Sequence, residues 1–491
     1  MSTAPRDPFR PVAHLRPPRN WINDPNGLVF HDGYYHVFHQ YNPYGATHAN
    51  MHWGHFRSPD LLSWEPMPIA LSPTPGGEDA DGCFSGNAVS DGDRLIAFYS
   101  ANRWDRSPQH QPVTTATSLD GGRTFTPRAQ LLIPEWPEGC TMYRDPYVWR
   151  AGTDWRMLVG AALDDGRGAA LLYTSPDLET WTYLGLFDAR RQEQVGDTEL
   201  HTGEGWECPQ YLPARAGRPG ALIFSAWNDH DGARCVTALV GEERGDTFEA
   251  GPPLLVDHGP ECYAPALLPA PDGRWLMWGW SREAREDSWA VADGWAGMLT
   301  LPREVSVDGD GTVRQQPAVE LLALRGERTV HAVGETYGPE PVDLGRVGRA
   351  FDLTARLEAT GSAGLRLLTG PDGSEYLDIR LDAAAGELVV DRDHASLDGR
   401  AQGGTYRMPC PAGRPAELRV VVDHSVAEVF LTSTGQVLTL RFYPTGSSPW
   451  RLEARTAPGA RLAYTADAWE LLPLTVKEPG ADTGQPHEQS P

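Results

Sequence analysis

Apolar residues fall in short runs between clusters of Gly, Pro, Asp and Asn, and long stretches with helical periodicity are nearly absent. Runs such as Tyr34-Tyr35-His36-Val37-Phe38 and Leu95-Ile96-Ala97-Phe98-Tyr99 have the length and residue types of buried strands. The pattern predicts an all-β chain. A weak repeat overlies it: Ser58-Pro59-Asp60-Leu61-Leu62-Ser63-Trp64, Ser118-Leu119-Asp120-Gly121-Gly122-Arg123-Thr124-Phe125, Ser175-Pro176-Asp177-Leu178-Glu179-Thr180-Trp181, and more loosely Arg244-Gly245-Asp246-Thr247-Phe248. The aromatic end recurs about every 60 residues, room for three or four strands per unit, which predicts the blades of a β-propeller. Five units fit before about residue 310, so residues 1–310 are read as a five-bladed propeller.

The segments that open the five units are Asn23-Asp24-Pro25, Phe84-Ser85-Gly86, Arg144-Asp145-Pro146, Trp206-Glu207-Cys208-Pro209 and Glu261-Cys262-Tyr263-Ala264-Pro265. Four of them carry an acid shortly before a proline, which an innermost edge strand tolerates because it need not donate every N–H. Asp24, Asp145, Glu207 and Glu261 are therefore expected to converge on a central funnel. Beyond Arg303 the texture changes. Residues 311–328 read as a linker with a short helix starting near Pro317. Residues 329–475 alternate again, as in Glu417-Leu418-Arg419-Val420-Val421-Val422, and predict a β-sandwich. Residues 476–491 are polar and rich in Pro and Gly, the composition of a disordered tail.

Length supports two domains, since 491 residues exceed what one core serves. Sixty-six acidic residues against 42 basic ones give a net charge of −24, which repels phosphate backbones and anionic lipid, so neither nucleic acid nor a membrane is an expected partner. Mean hydropathy is −0.43 and no apolar run is long enough to span a bilayer. The charged, proline-rich start lacks the apolar core of a signal peptide, and a cytoplasmic location is expected. Six scattered cysteines show no Cys-x-x-Cys spacing and read as free thiols. His31, His36, His39, His48, His52 and His55 crowd one unit, but their spacing matches no compact zinc pattern, so neither metal nor cofactor is expected.

Convergent carboxylates in a funnel rich in Trp, Tyr, Asn and Gln suit glycosidic bond cleavage. The alternatives are a propeller lectin that binds sugar without cleaving it, and an inverting furanosidase with three acids in a five-bladed propeller. Asn23, Asn26, Gln40 and Arg144 are candidate donors to sugar hydroxyls, and Trp53, Phe84 and Trp295 candidate walls. Ser85, Cys208 and Tyr263 complete the candidate binding set, although a packed thiol is the plainer reading of Cys208.

Seven motifs in order resemble those of glycoside hydrolase family 32: Trp21–Gly27, Phe38–Pro43, Trp53–His55, Phe84–Gly86, Arg144–Pro146, Trp206–Pro209 and Trp295–Arg303. The resemblance implies a propeller joined to a sandwich and retaining, exo-acting release of fructose from β-fructofuranosides such as sucrose or fructans, by a monomer or homodimer. It implies that Asp24 is the nucleophile, Glu207 the acid and base, and Asp145 the stabiliser of the transition state. Trp206 and two neighbouring anions are expected to keep Glu207 protonated, and N–H groups after Pro25 to keep Asp24 ionised. Glu261 stays a rival for the acid role, because it too precedes a cysteine. A fructosyltransferase would share the covalent intermediate and differ only in the acceptor.

Overall fold

A computed structural model describes residues 7–105, 109–193, 200–215, 217–230, 232–370 and 372–477. Five four-stranded antiparallel units follow one another, each beginning with its innermost strand. Blade one holds Asn20–His31, Tyr34–Asn42, His52–Ser58 and Ser63–Pro66. Blade two opens with Gly82–Asp91, blade three with Cys140–Ala151, blade four with Gly205–Leu212 and blade five with Cys262–Pro269.

What holds the ring is a separate apolar cluster between each pair of neighbours. Phe38, Trp53, Leu95 and Tyr99 fill the gap between blades one and two, and Phe98, Tyr143, Val159 and Leu171 that between two and three. Trp206, Phe224, Tyr211 and Leu172 serve blades three and four, and Ile223, Ala238, Leu267 and Met277 blades four and five. Ile22, Trp64, Leu268 and Trp278 close the ring between blades five and one. A parallel pairing of Asn20 with Trp295 and of Trp21 with Ala296 joins the same two blades through backbone.

The expected 311–328 linker is shorter than its sequence suggests. Val313–Pro317 pairs with Arg303–Val307 as the outermost strand of blade five, and only a 3-10 turn over Val319–Leu324 separates it from the next strand, Arg325–Tyr337. Two six-stranded sheets then face each other. One runs Arg325–Tyr337, Arg461–Leu471, Ala350–Thr360, Ala416–Asp423, Val426–Leu431, Gln436–Arg441; the other includes Trp450–Thr456, Ser362–Leu368 and Tyr376–Asp382. Alternate residues of Tyr376–Asp382 point inward, so Leu377, Ile379 and Leu381 enter the core while Asp378 and Arg380 pair outside. The chain is all-β: a five-bladed propeller followed by a sandwich. Of the expected disordered tail, Val476 pairs with Trp64 of blade one and Lys477 N–H donates to Trp64 O; residues 478–491 lie outside the described ones.

Candidate active site

Every innermost strand loses register with its partner within the segment that opens its blade. The slips fall between Ile22 and Pro25, Phe84 and Gly86, Arg144 and Tyr147, Glu207 and Gln210, and Tyr263 and Ala266. A bulge leaves residues unpaired and turns their side chains aside, and Pro is admitted there because the ladder has already parted. The freed residues are Asn23-Asp24, Ser85, Asp145-Pro146, Cys208-Pro209 and Ala264-Pro265. Asp145, Cys208 and Ala264 take φ of 64°, 47° and 45°, left-handed values that non-glycine residues hold only where surrounding structure enforces them.

Four of these five bulges meet. Asp24 accepts a 2.6 Å hydrogen bond from Ser85 Oγ on one oxygen and a 3.1 Å bond from the Asn23 amide on the other. The Cys208 thiol lies 3.6 Å from Asp24 Oδ2 and 3.6 Å from Asp145 Oδ2, and Cys208 N–H donates to Asp145 at 2.9 Å. Glu207 stands just before its bulge. Arg144 donates to Glu207 Oε1 at 2.8 and 3.2 Å, and Tyr263 O–H to Glu207 Oε2 at 2.6 Å. Among the described residues, Arg144 is the one cation bonded to these three acids.

One guanidinium cannot keep three crowded carboxylates ionised. Burial pushes the Asp24 carboxyl up to about 6; Ser85 opposes the rise and the charge of Glu207 adds to it. Burial raises Asp145 as well, against Arg144 and reinforced by Glu207 and Asp24. Burial and the surrounding anions hold the Cys208 thiol protonated. The site thus has carboxyls that exchange protons near neutral pH, held by neutral donors.

Several expected roles are corrected. The donors to Asp24 are Ser85, Asn23 and Cys208 rather than N–H groups after Pro25. Arg144, expected to serve sugar hydroxyls, is held by Glu207 and by Gln109 Oε1 at 2.9 Å. Trp206 turns away from Glu207 and stacks on Phe224 at 4.0 Å, because neighbours in a strand face opposite sides. Glu261 points out of the funnel into the sandwich, where Arg392 donates to it at 2.8 Å and Arg441 N–H at 3.0 Å. Trp295 is 1% exposed, donates to Asp7 at 2.5 Å and is surrounded by Arg10, Arg16, Arg285 and Arg441, so it offers no open face to the funnel. Trp53 is fully buried and donates to Phe84 O at 3.0 Å, which makes it the backing of the wall rather than its surface. Asn26 is sealed with its amide unpartnered, while Gln40 donates to Cys83 O at 3.1 Å and leaves its amide oxygen unused. His36 bonds His55 at 2.9 Å and His31 bonds Ser90 at 2.8 Å. Among the described residues no three His, Cys, Asp or Glu gather as metal ligands.

Other contributors were given no role in the site from sequence. Trp21 donates to Asn23 Oδ1 at 2.8 Å and meets Trp280 edge-on at 5.6 Å, while His48 lies 5.9 Å from Trp21 and 6.2 Å from Phe84, and Phe84 lies 6.4 Å from Trp104. These rings form an aromatic arc beside the acids. His48 and Trp104 sit in loops with no motif to mark them.

Comparison with known proteins agrees with this architecture. Residues 14–317 match the Glycosyl hydrolases family 32 N-terminal domain, and residues 320–469 the family's C-terminal domain. A probable sucrose-6-phosphate hydrolase of Psychromonas ingrahamii is 34% identical over 445 residues, covering 89% of this chain and 77% of its own. A raffinose invertase of Escherichia coli is 32% identical over 482 residues, covering 94% and 95%. The structure of fructan 1-exohydrolase IIa from Cichorium intybus superposes with a TM-score of 0.83 at 22% identity, covering 96% of this chain and 99% of that one. With both of its halves matched, the chain belongs to glycoside hydrolase family 32 and is a glycosidase.

Proposed function

We propose that the protein is a retaining, exo-acting β-fructofuranosidase that releases fructose from sucrose and from the ends of fructans. The observation that carries this reading is the meeting of Asp24, Asp145 and Glu207, from the bulged strands of three blades, around one thiol and one guanidinium. Asp24, its oxygens fixed by Ser85 and Asn23, attacks the anomeric carbon of the fructosyl group. Glu207 gives its proton to the glycosidic oxygen as that bond breaks. The fructose is then carried as an ester of Asp24. Arg144 stabilises the carboxylate left on Glu207, which takes a proton from the water that releases fructose and restores Asp24. Asp145, held by Cys208 N–H, stands beside the sugar ring and offsets its cationic charge without forming a bond.

The names of the relatives, sucrose-6-phosphate hydrolase, invertase and fructan exohydrolase, support a fructoside substrate. Among the described residues no cysteine is joined in a disulfide, which supports a reducing compartment and hence the cytoplasm. Among the described residues no helix is long and apolar enough to cross a membrane.

The test is Asp24→Asn. It is expected to fold with an unfolding midpoint no lower than that of the unaltered protein and to lose at least about 10³-fold in fructose released from sucrose, the scale of losing a nucleophile rather than an acid alone. NMR of the first-formed product from the unaltered enzyme should show β-fructofuranose. Wild-type turnover in the variant, or α-fructofuranose as first product, overturns the assignment.

A further inference from the structure

At the funnel mouth lies a recess of about 460 Å³ whose lining includes Tyr44, His48, His52, Asp81, Phe84 and Trp104. It adjoins the acids. Phe84 precedes Ser85, the donor to Asp24, and His48 is near enough to Glu207 for that carboxylate to act on its imidazole. An exo-acting site holds the terminal fructosyl group among the acids, so the group leaving with the Glu207 proton must extend outward. The recess has room for a hexosyl unit and more.

Its surface suits sugar faces. Tyr44 and Trp104 are 59% and 57% exposed, unusual for rings of this size, and flank the opening. Tyr44 meets His52 edge-on at 5.8 Å, and Trp104 N–H donates to Asp81 Oδ2 at 2.8 Å, tying the loop that carries the indole to the recess. Flat aromatic faces accept the C–H-bearing face of a pyranose or furanose.

Its charge excludes an anion. Among the described residues the lining has no Lys or Arg, and its one formal charge is the Asp81 carboxylate. Desolvation in the recess lowers the pKa of both His48 and His52, whose imidazoles are therefore neutral at pH 7. Arg103, one residue before Trp104, is held by both oxygens of Asp105 at 2.8 and 3.0 Å. A phosphate ester calls for Arg or Lys donors and meets a carboxylate here instead.

We infer that this recess is the leaving-group subsite and that it selects an uncharged glycosyl group over a phosphorylated one. The inference rests on the fructofuranosidase reading. It separates the chain in substrate from the Psychromonas relative named a probable sucrose-6-phosphate hydrolase.

The experiment compares kcat/KM of the full chain for sucrose, 1-kestose and sucrose phosphorylated on the glucosyl O6. Sucrose and 1-kestose are expected to exceed the phosphate ester at least about tenfold. Ala49→Lys, which places a cation in the lining, should raise the ratio of phosphate ester to sucrose by about fivefold, the worth of one charge pair near 4 Å in water. Trp104→Ala should raise KM for 1-kestose by about fivefold. Normal sucrose hydrolysis with an equal or higher kcat/KM for the phosphate ester overturns the selectivity, as does an Ala49→Lys ratio that does not move. Fructose from none of the three substrates overturns the fructofuranosidase reading and this inference with it.

Discussion

Two groups of buried acids, one in the funnel and one at the junction with the sandwich, are managed in opposite ways. In the funnel, Asp24, Asp145 and Glu207 share one guanidinium and lean on a hydroxyl, an amide, a thiol and a phenol. At the junction with the sandwich every acid has a cation. Arg303 bonds Asp257 at 2.8 Å and Glu428 at 2.6 Å, His14 bonds Asp423 at 2.9 Å and Glu428 at 3.2 Å, Arg392 bonds Glu261 at 2.8 Å, and Arg441 lies 3.2 Å from Glu283. The pKa directions follow. Burial raises Asp24 and Asp145, whereas His14 and Arg303 outweigh burial at Asp423 and Glu428 and hold them low. Glu261 is the exception, raised by burial despite Arg392. Charge is balanced where the fold must stay joined and left unbalanced where protons must move.

The strongest way to break this contrast is to exchange the expected phenotypes. Glu207→Gln should lower the rate of sucrose hydrolysis by about 10² to 10⁴ and leave the urea midpoint of unfolding near wild type. Arg303→Met should do the reverse. It strands Asp257 without its cation and leaves Glu428 with His14 alone, an effect of about 3–5 kcal/mol on stability, while the folded fraction keeps its kcat. If Arg303→Met abolished turnover in folded protein, the junction would belong to the site.

A second contrast is in pH. His14 is raised to about 9 by Asp423 and Glu428 against burial, so its stabilisation is complete below its ordinary 6.5 and is lost as pH rises through 9. Unfolding free energy should fall by about 2–3 kcal/mol between pH 6.5 and 9.5, an effect that His14→Gln removes. Asp24 acts in the same direction but at lower pH and for a different reason. Its raised pKa means that ionisation costs more in the folded state, so stability declines from its ordinary 3.8 up to about 6 and is level above. Urea melts across pH 4–10 read both limbs.

The repeat of strands and acids was legible along the chain because each blade restates one local pattern, and local patterns are what a sequence displays. Which acid enters the funnel was not. Glu207 and Glu261 both precede a cysteine, yet Glu207 adjoins its bulge whereas Glu261 lies three residues before Ala264. Counting back from the bulges, the blade-five counterpart of Glu207 is Tyr263, and it is the Tyr263 hydroxyl that bonds Glu207. Register, not the neighbouring letters, sets the direction of a side chain, and a bulge shifts it by one. The same parity turns Trp206 away. The partners of Glu261, Arg392 and Arg441, come from far along the chain, and the cations around Trp295 from three separate segments, so no local reading reaches them.

The finest test of the contrast is Ser85→Ala. The hydroxyl donates to Asp24 at 2.6 Å and is foremost among the contacts that oppose burial there. Without it the protonated form of Asp24 gains on the ionised one, because the remaining donors are the Asn23 amide and a thiol at 3.6 Å. The acid limb of kcat/KM, which requires Asp24 ionised and is expected near pH 6, should move up by about half to one unit. Stability at neutral pH should fall by about 1 kcal/mol, the equivalent of that shift, since one hydrogen bond to the carboxylate is lost and no paired charge is stranded. A matching loss at the junction, Thr439→Val beside Asp257, should leave the limb where it is, because Arg303 continues to hold that carboxylate. If both variants shifted the limb alike, the two groups of acids would be titrating as one network.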